Sequence, residues 1–386
     1  MIKLLHTSDW HLGKTLGQKS LIDDQRYFIE NVFYKIIEKE NPDAVIIAGD
    51  IFDRAVPPTK AISLFNNLLL HFGKQLKIPL IIISGNHDSK SRMAVGTELL
   101  NSSGIYIANS IESIQKPISI KKGKQSVNIY TLPYFDKAEL KNILNLDKDL
   151  SLSEYYRELI AKANLNFSEN SFNILVSHCY VTGYLDSEEE NSLLIGGNEE
   201  ISSSVFEKFD YVALGHIHSA QKAGINGRYS GSPICYSFRE KSYNKSISIL
   251  EIEQNKNNLR IVPINPLHKM KVIEGEFKDL VEMGKASPSD DYIRVNLTNK
   301  TPIYMPIEQL RVYFPNIITL SSEWVKSTSI NTDFKAEFKD KILNNTENEL
   351  TAFSEFFKSL YGDNPSHKDT IAFKEILQFM KKEESE

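Results

Sequence analysis

The chain is poor in cysteine and has no long apolar run. Its 386 residues include two cysteines, Cys179 and Cys235, in no CxxC spacing, which excludes a disulfide framework and indicates a reducing compartment. No apolar run approaches the roughly 20 residues that a membrane-spanning helix needs. The opening MIKLLHTSDWH becomes polar too early for a signal peptide. We therefore expect a cytoplasmic protein with no membrane partner.

The chain also lacks an excess of basic residues. Its formal net charge is -5, from 45 basic and 50 acidic side chains, so bulk charge does not indicate nucleic-acid binding. Any DNA contact must come from a local basic patch, a metal site or a partner. The 41% hydrophobic and 25% charged composition is that of an ordinary folded protein and excludes disorder. The length favours a sizeable core with one or two smaller modules.

Short apolar runs alternate with helical patterns in the first half, which predicts a layered α/β fold. Helical spacing covers residues 21–39 and 59–76, and such crossovers imply parallel strands. After Gly215 the sequence becomes rich in strands, so a second sheet is expected to pack on the first, in a domain of residues 1–265. Strands are predicted at 2–7, 44–48, 80–84, 127–132, 173–177 and 211–214.

Two further segments follow this large domain. Residues 266–324 read as a small strand, helix, strand, helix, strand module. Residues 325–386 begin as a polar linker and end in two helical stretches. Because two short helices cannot cover so much apolar surface, a partner groove is one hypothesis, and packing back on the chain is the other. The apolar positions are Phe353, Phe356, Phe357, Leu360, Phe373, Ile376, Leu377 and Met380.

Acidic, amide and imidazole side chains lie where the predicted strands end. Asp9 and His11 follow the first strand, and their i, i+2 spacing points both to one side of an extended backbone. Because ligand sites in α/β sheets gather outside the carboxyl ends of strands, these loops are expected to meet. Five of the nine histidines lie at such ends, with further polar residues: His11, His87, His178, His216 and His218, with Asp9, Asp50, Asp53 and Asn86.

This set of side chains has the composition of a metal centre. Ionised aspartates with neutral imidazoles suit manganese, zinc or iron. The absence of a thiolate argues against a structural zinc cage. A lone histidine at a strand end is more often a structural residue than a ligand. The interpretation as a metal centre therefore depends on so many of these residues occurring together at strand ends.

The ordered set Asp-x-His, Gly-Asp-x-x-Asp, Gly-Asn-His-Asp, His and Gly-His-x-His resembles that of the calcineurin-like metallophosphoesterases. Within them, the segments HTSDWHLGK at 6–14, AGDIFD at 48–53, ISGNHD at 83–88 and SGSP at 230–233 resemble the SbcD family of double-strand-break repair nucleases. The resemblance implies a two-sheet α/β sandwich with a small α+β capping domain and carboxyl-terminal helices.

The same resemblance implies two divalent metal ions, with manganese expected. Asp50 would bridge the ions. Two such cations can clamp a phosphodiester oxygen, lower the pKa of water to make the attacking hydroxide, and stabilise charge in the transition state. One ion would be held by Asp9, His11, Asp50 and His218, and the other by Asp50, Asn86, His178 and His216.

Catalytic roles follow for two neighbouring residues. By resemblance, His87 steadies the phosphate or protonates the leaving oxygen. Asp53 would orient the His87 imidazole, with a simple loop carboxylate as the alternative. Arg54 could contact phosphate or be a surface charge. We expect Asp88 to cap the helix that follows it.

The implied function is a DNA nuclease subunit, an exonuclease on double-strand ends and an endonuclease on single strands and hairpins. It would work with the ATPase SbcC in DNA end processing, recombination and repair. Residues 266–324 would contact DNA, and residues 325–386 would bind the base of the SbcC coiled coil. A homodimer within a heterotetramer is implied through residues 59–76 and 92–101. The apolar face of this dimer contact would consist of Leu64, Phe65, Leu68 and Leu69. The same face could equally cover the sheet.

Two alternatives remain at this point. A phosphatase or small-molecule phosphodiesterase would keep the metals and change the substrate, and would hydrolyse a small diester but not DNA. A non-catalytic DNA-binding scaffold would keep the fold, and would usually show a lost ligand. All seven expected ligand positions and His87 carry the expected residue types.

Overall fold

The computed structural model describes residues 1–146, 148–163, 165, 167, 171–182, 200–240, 242–322, 350–351, 353–354, 357–358 and 364–383. The expected linker at 325–349 lies outside these residues. So do Phe356, Leu360 and the side chains of Ile376, Leu377 and Met380.

Strands β1 to β19 run, in chain order, over Ile2–Thr7, Thr15–Leu16, Lys19–Ser20, Ala44–Ala48, Leu80–Ile83, Ile105–Ala108, Ile118–Lys122, Gln125–Leu132, Ser171–His178, Tyr180–Val181, Glu200–Ile201, Tyr211–Gly215, Gln221–Ala223, Gly227–Tyr229, Ser246–Glu253, Lys256–Pro263, Met270–Gly275, Tyr292–Leu297 and Ile317–Ser322.

Helices α1 to α10 run over Ile22–Tyr27, Tyr34–Glu40, Thr59–His71, Lys90–Met93, Thr97–Asn101, Lys137–Leu144, Leu152–Lys162, Phe277–Ala286, Pro306–Leu310 and His367–Glu383. Two π-helical segments, Phe28–Phe33 and Phe72–Leu76, continue α1 and α3, and two 3₁₀ turns cover Ile111–Gln115 and Ser203–Phe206.

Two six-stranded sheets form the body of the first part of the chain. The first has the order β16-β15-β1-β4-β5-β6, and the second β13-β14-β12-β9-β8-β7. Strands β1, β4, β5 and β6 are mutually parallel, as are β8, β9, β12 and β14. The parallel strands place the carboxyl ends of several strands at one edge of each sheet.

The sheets pack face to face through an aliphatic layer. Alternate residues of β1, β4 and β5, such as Leu4, Ile46 and Ile81, meet residues of β9 such as Ile174 and Val176, all almost fully buried. Strand β4 is buried on both faces, as expected of a continuous apolar run in a parallel sheet. The predicted two-sheet α/β sandwich is confirmed.

Local sequence signals explain where the helices begin. Pro58 precedes α3, and the predicted stretch 59–76 is occupied by α3 and its π-helical continuation. Helix α6 begins at a capping box of Asp136 and Glu139, and α7 at one of Ser151 and Glu154.

The apolar stripe proposed for a dimer contact is covered within the chain. Leu64, Phe65 and Leu68 on α3 are at most 9% exposed. These three side chains are thus already buried within a single chain, and the dimer contact stays a prediction. The large apolar side chains that do reach the surface on these helices are different ones: Ile62, Leu70 and Leu99.

Contacts between residues divide the chain into Met1–Met270 and Lys271–Glu386. The second unit contains a three-stranded sheet of order β17-β18-β19, in which β18 and β19 are parallel. Helices α8 and α9 supply Leu280 and Leu310 to a core with Val295. The limits expected at 265 and 324 stay a prediction.

Among the described residues near the carboxyl end, Phe353 stacks on Phe373, with ring centroids 4.1 Å apart and planes 8° from parallel. Part of the apolar surface in this region is thus covered by the chain itself. Within the described part of the chain, no helix combines the length and apolar character needed to cross a membrane.

Candidate metal centre

The loops after five strands bring the expected ligands together. Asp9 and His11 follow β1, Asp50 follows β4 and Asn86 follows β5, whereas His178 ends β9 and His216 and His218 follow β12. Both sheets therefore supply side chains to one centre, as the sequence predicts from their strand ends.

Unusual backbone conformations direct these side chains towards the centre. Asp9, His11, Asp50 and His216 all have positive φ, at 54°, 43°, 49° and 105°. Such conformations are rare outside glycine and persist where the surroundings impose them. Two of these residues are held by hydrogen bonds between the loops after β1 and β4: Asp9 N donates to Gly49 O at 3.0 Å, and His11 N donates to Asp50 O at 2.9 Å.

Two glycines let the loops approach closely. A Cβ on Gly85 would overlap Asp50, and a Cβ on Gly215 would overlap the Ala48 carbonyl oxygen and lie 2.8 Å from His178 Nδ1. Because Gly215 belongs to one sheet and Ala48 to the other, the two sheets can meet at this end only without a side chain there.

Asp50 lies at the middle of the centre. Its Oδ2 is 3.4 Å from His11 Nε2 and 3.5 Å from His178 Nε2. Its Oδ1 accepts a hydrogen bond from His87 N at 3.0 Å. One carboxylate oxygen thus stands between imidazoles expected to bind different ions, which is the geometry a bridging ligand requires.

The remaining candidates form a group on each side of Asp50. On one side, ligand atoms of Asp9, His11 and His218 lie within 4.8 Å of one another, and His11 Nε2 is 3.0 Å from His218 Nε2. On the other side, Asn86 Oδ1 lies 3.0 Å from His178 Nε2 and 3.1 Å from His216 Nδ1.

Burial keeps three of the imidazoles neutral. Burial lowers the pKa of His11 to about 4 and that of His216 to about 3, and it lowers the pKa of His218 well below the usual range. At neutral pH these rings therefore present lone pairs rather than protons. His178 Nδ1 lies 2.9 Å from the Ala48 carbonyl and donates to it, which leaves Nε2 as its ligand atom.

Burial opposes the ionisation of both central carboxylates. Burial raises the pKa of Asp9 to about 7. Burial also opposes ionisation of Asp50, but the charge and hydrogen bond of His178 hold the Asp50 pKa below its usual range. Burial lowers the pKa of His178, yet Asp50 raises it to about 9 overall. Two buried aspartates, four imidazoles and one amide oxygen form a donor set that fits two divalent ions.

His87 and Asp53 lie beside the first group. His87 Nδ1 is 2.8 Å from the main-chain carbonyl of Asp53. The Asp53 carboxylate instead lies 2.8 Å from Lys14 Nζ and 3.6 Å from His11 Nδ1. The hydrogen-bond contact of Asp53 with His87 is therefore made by its carbonyl, while its carboxylate pairs with Lys14.

Asp88 corrects one expectation. It does not cap the following helix, since α4 has no side-chain cap. Its buried carboxylate accepts hydrogen bonds from the main-chain N of Ile51, Phe52 and Gly85, at 3.1, 2.9 and 2.9 Å. Burial raises its pKa to about 6. Asp88 thus ties the loop after β4 to the loop after β5.

Other supporting residues were missed from the sequence. The buried amide of Gln25 donates to His11 O at 2.7 Å and accepts from Gly13 N at 2.9 Å. The Tyr236 hydroxyl donates to Trp10 O at 2.5 Å. Gln25 lies within a helical pattern and carries no motif signal, whereas Tyr236 lies three residues after the SGSP segment, the one signal that could have identified it.

Comparisons with known proteins identify two matching family models. A model described as calcineurin-like phosphoesterase matches residues 2–220. A second, described as type 5 capsule protein repressor C-terminal domain, matches residues 266–359.

Among curated proteins, the SbcD component of the nuclease SbcCD from Staphylococcus epidermidis is 33% identical over 387 residues, which span 98% of this chain and 99% of that protein. Among solved structures, the crystal structure of a Vps29 single mutant from Entamoeba histolytica covers 68% of this chain and 100% of its own, at 13% identity and a TM-score of 0.26. This structural likeness is too low to carry an argument.

Proposed function

Because the chain belongs to the calcineurin-like phosphoesterases and, within them, to the SbcD nucleases, we propose that it cleaves DNA phosphodiester bonds with two divalent metal ions. It is a phosphodiester hydrolase. We propose manganese as the metal, exonuclease action on double-strand ends, and endonuclease action on single strands and hairpins. The setting would be DNA end processing, recombination and repair in the cytoplasm.

The position of Asp50 carries the proposal of two ions. Its Oδ2 lies about equally far from His11 Nε2 and His178 Nε2, at 3.4 and 3.5 Å. A single ion would leave one of these groups without a cation beside its buried ligands. Asp9, His11, Asp50 and His218 would hold one ion, and Asp50, Asn86, His178 and His216 would hold the other.

When bound, the two ions supply Lewis-acid polarisation of the phosphate and lower the pKa of water. The chain's own residues position these ions and handle the leaving group. Neutral His11, His216 and His218 bind without first losing a proton. The strand-end loops keep their ligand atoms grouped before an ion arrives.

We assign the leaving-group proton to His87. Its Nδ1–H donates to the Asp53 carbonyl, which fixes the ring and leaves Nε2 as the atom that exchanges a proton. The His87 ring packs edge-on to His11, with centroids 4.8 Å apart, so it lies beside the proposed ions. A protonated Nε2 would donate to the oxygen that leaves.

Partners are part of the proposal. We propose the ATPase SbcC as partner, with residues 266–324 contacting DNA and residues 325–386 binding the base of its coiled coil. Because the chain is acidic overall, we assign much of the DNA contact to SbcC. A homodimer within a heterotetramer would use the exposed apolar side chains Val95 and Leu99, which are 78% and 79% exposed.

The test compares Asp50→Ala with His87→Ala on end-labelled linear and hairpin DNA in manganese, with and without SbcC. Asp50→Ala should lose both bound metal and cleavage. His87→Ala should keep the wild-type metal content and lose about 10²- to 10⁴-fold in rate, the contribution of a general acid. Metal content is measured by elemental analysis of each dialysed protein.

Two results would count against the proposal. If His87→Ala also lost metal, His87 would be a ligand and not the acid. If wild type with SbcC cut no DNA but hydrolysed a small phosphodiester, the centre would stand and the DNA substrate would be wrong.

A further inference from the structure

A buried ion pair lies behind the metal centre and takes no part in the chemistry above. The Lys245 ammonium contacts the Glu240 carboxylate, and the two side chains are only 6% and 3% exposed. Removing both charges from water is costly, and a well-packed apolar pair stabilises a fold as well or better. Such a pair is therefore weak evidence of stabilisation, which leaves room for another role.

Lys245 donates hydrogen bonds to the backbone of one predicted ligand, His218, and to a neighbour of that backbone. Its Nζ donates to the main-chain carbonyl of His218 at 2.9 Å and to Ser232 Oγ at 3.0 Å. Ser232 N donates to the same His218 carbonyl at 3.1 Å. Lys245 thus holds the backbone that carries the His218 imidazole.

Glu240 contacts a residue on the same side of the centre, Tyr236. Its Oε1 accepts from Tyr236 N at 2.7 Å. The Tyr236 ring packs against His11 and His218, with centroids 5.5 and 5.6 Å away. Its hydroxyl reaches Trp10 O, next to His11 in the chain.

His178, in the other group of ligands, is held by a different contact. Its Nδ1 donates to Ala48 O at 2.9 Å, whereas His216 N donates to Asp9 Oδ1 at 2.9 Å, a hydrogen bond that joins the two groups. The described contacts of Lys245 and Glu240 reach neither Asn86 nor His178.

We propose that the Lys245–Glu240 pair positions His11 and His218, and so sets the affinity of one ion position and not of the other. The inference rests on the proposed two-ion centre. Lys245 and Glu240 are positioning residues, since neither touches a reacting atom.

The experiment is a manganese titration of the metal-free full chain, with free manganese followed by electron paramagnetic resonance. Lys245→Met alone would leave the Glu240 carboxylate buried without its cation, so the test variant is Lys245→Met with Glu240→Leu, which removes both charges. His218→Ala and His178→Ala assign the two binding steps. We expect the double variant to weaken the step lost in His218→Ala by about tenfold or more and to leave the other step close to that of wild type.

A second ion pair offers a matched control. Glu40, whose side chain is 8% exposed, pairs with Arg260 and Lys3, and Lys3 lies at the end of β1 opposite Asp9. Glu40→Leu with Arg260→Met should change stability without changing either manganese affinity. Equal weakening of both steps in the Lys245 double variant, or no change in either, would overturn the inference.

The two levels of failure can be told apart. If wild type binds fewer than two manganese ions, or if His218→Ala and His178→Ala affect the same step, the two-ion function itself fails. If both steps are resolved and the double variant matches wild type, only the role of the Lys245–Glu240 pair fails.

Discussion

The buried imidazole of His6 makes the stability of the protein sensitive to acid. Burial, aided by the charge of Arg228, lowers its pKa from 6.5 to about 3. Below pH 6.5 the unfolded chain takes up a proton that the folded chain does not. The free energy of unfolding therefore falls as the pH falls from 6.5 towards 3.

Between pH 7.5 and 5.5, the wild-type protein should lose about 1.4 kcal/mol of unfolding free energy through His6, the equivalent of one pKa unit. We expect His6→Gln not to show this part of the loss. Urea unfolding of metal-free protein at the two pH values measures it. Ile174→Val, a buried change without a titrating group, should cost about 1 kcal/mol equally at both. The same acid loss in His6→Gln as in wild type would refute the assignment.

At the scale of residues, the sequence predicted which side chains meet, but not which atoms act. Asp9, His11, Asp50, Asn86, His178, His216 and His218 could be placed together because strand ends in parallel sheets converge. The carbonyl contact of Asp53 with His87 could not be foreseen, because a main-chain contact depends on the path of the loop and not on the residue type. The three main-chain donors to Asp88 come from two loops whose approach only the fold defines.

At the scale of elements, the long buried strands were predictable and the short ones were not. Strand β4, with sequence AVIIA, and β5, with sequence LIII, are continuous apolar runs between turn residues. Strands β2 and β3 have two residues each, which is too short to show the alternation of apolar and polar residues that identifies a strand. The π-helical segments after α1 and α3 preserve a helical pattern and so were predicted as plain helix.

The end of β12 provides a test of how tightly the two sheets approach. Gly215→Ala would place a Cβ against the Ala48 carbonyl oxygen of the other sheet. Because both atoms belong to central strands, neither can move cheaply, and we expect a loss of about 3 kcal/mol or more. Urea unfolding and bound metal should both report the change.

Gly73→Ala is the matched control for Gly215→Ala. Its Cβ would find its nearest neighbours at an ordinary 3.6 Å, so stability should be unchanged or higher by up to about 1 kcal/mol. Wild-type stability and metal content in Gly215→Ala would show that the sheets can separate there without cost.

At the scale of the whole molecule, the proposed homodimer can be tested through its exposed apolar side chains. Leu99→Asp should shift the mass in solution from that of two chains towards the 44.0 kDa of one, because a charge replaces a side chain that is 79% exposed here. Light scattering after gel filtration measures it. Val312→Asp, at 75% exposed in the second unit, should leave the mass unchanged.

A wild type that is monomeric at every concentration, or a Leu99→Asp variant that stays a dimer, would exclude this surface.

The expected order of modules rests on a change in residue pattern after residue 265 and stays a prediction. The burial of Leu64, Phe65 and Leu68 could not be predicted, because it depends on which face of α3 turns to the rest of the chain.

Strand β1 precedes the other strands of its sheet in the chain, yet its outer neighbour is β15, which pairs in turn with β16 ending at Pro263. The first sheet therefore cannot be completed until the ribosome has delivered those late strands, long after Asp9, Asp50 and Asn86 have emerged. The second sheet must also deliver His178, His216 and His218. A nascent chain consequently carries only part of the centre, so cleavage of nucleic acid cannot begin until most of the first unit has left the ribosome.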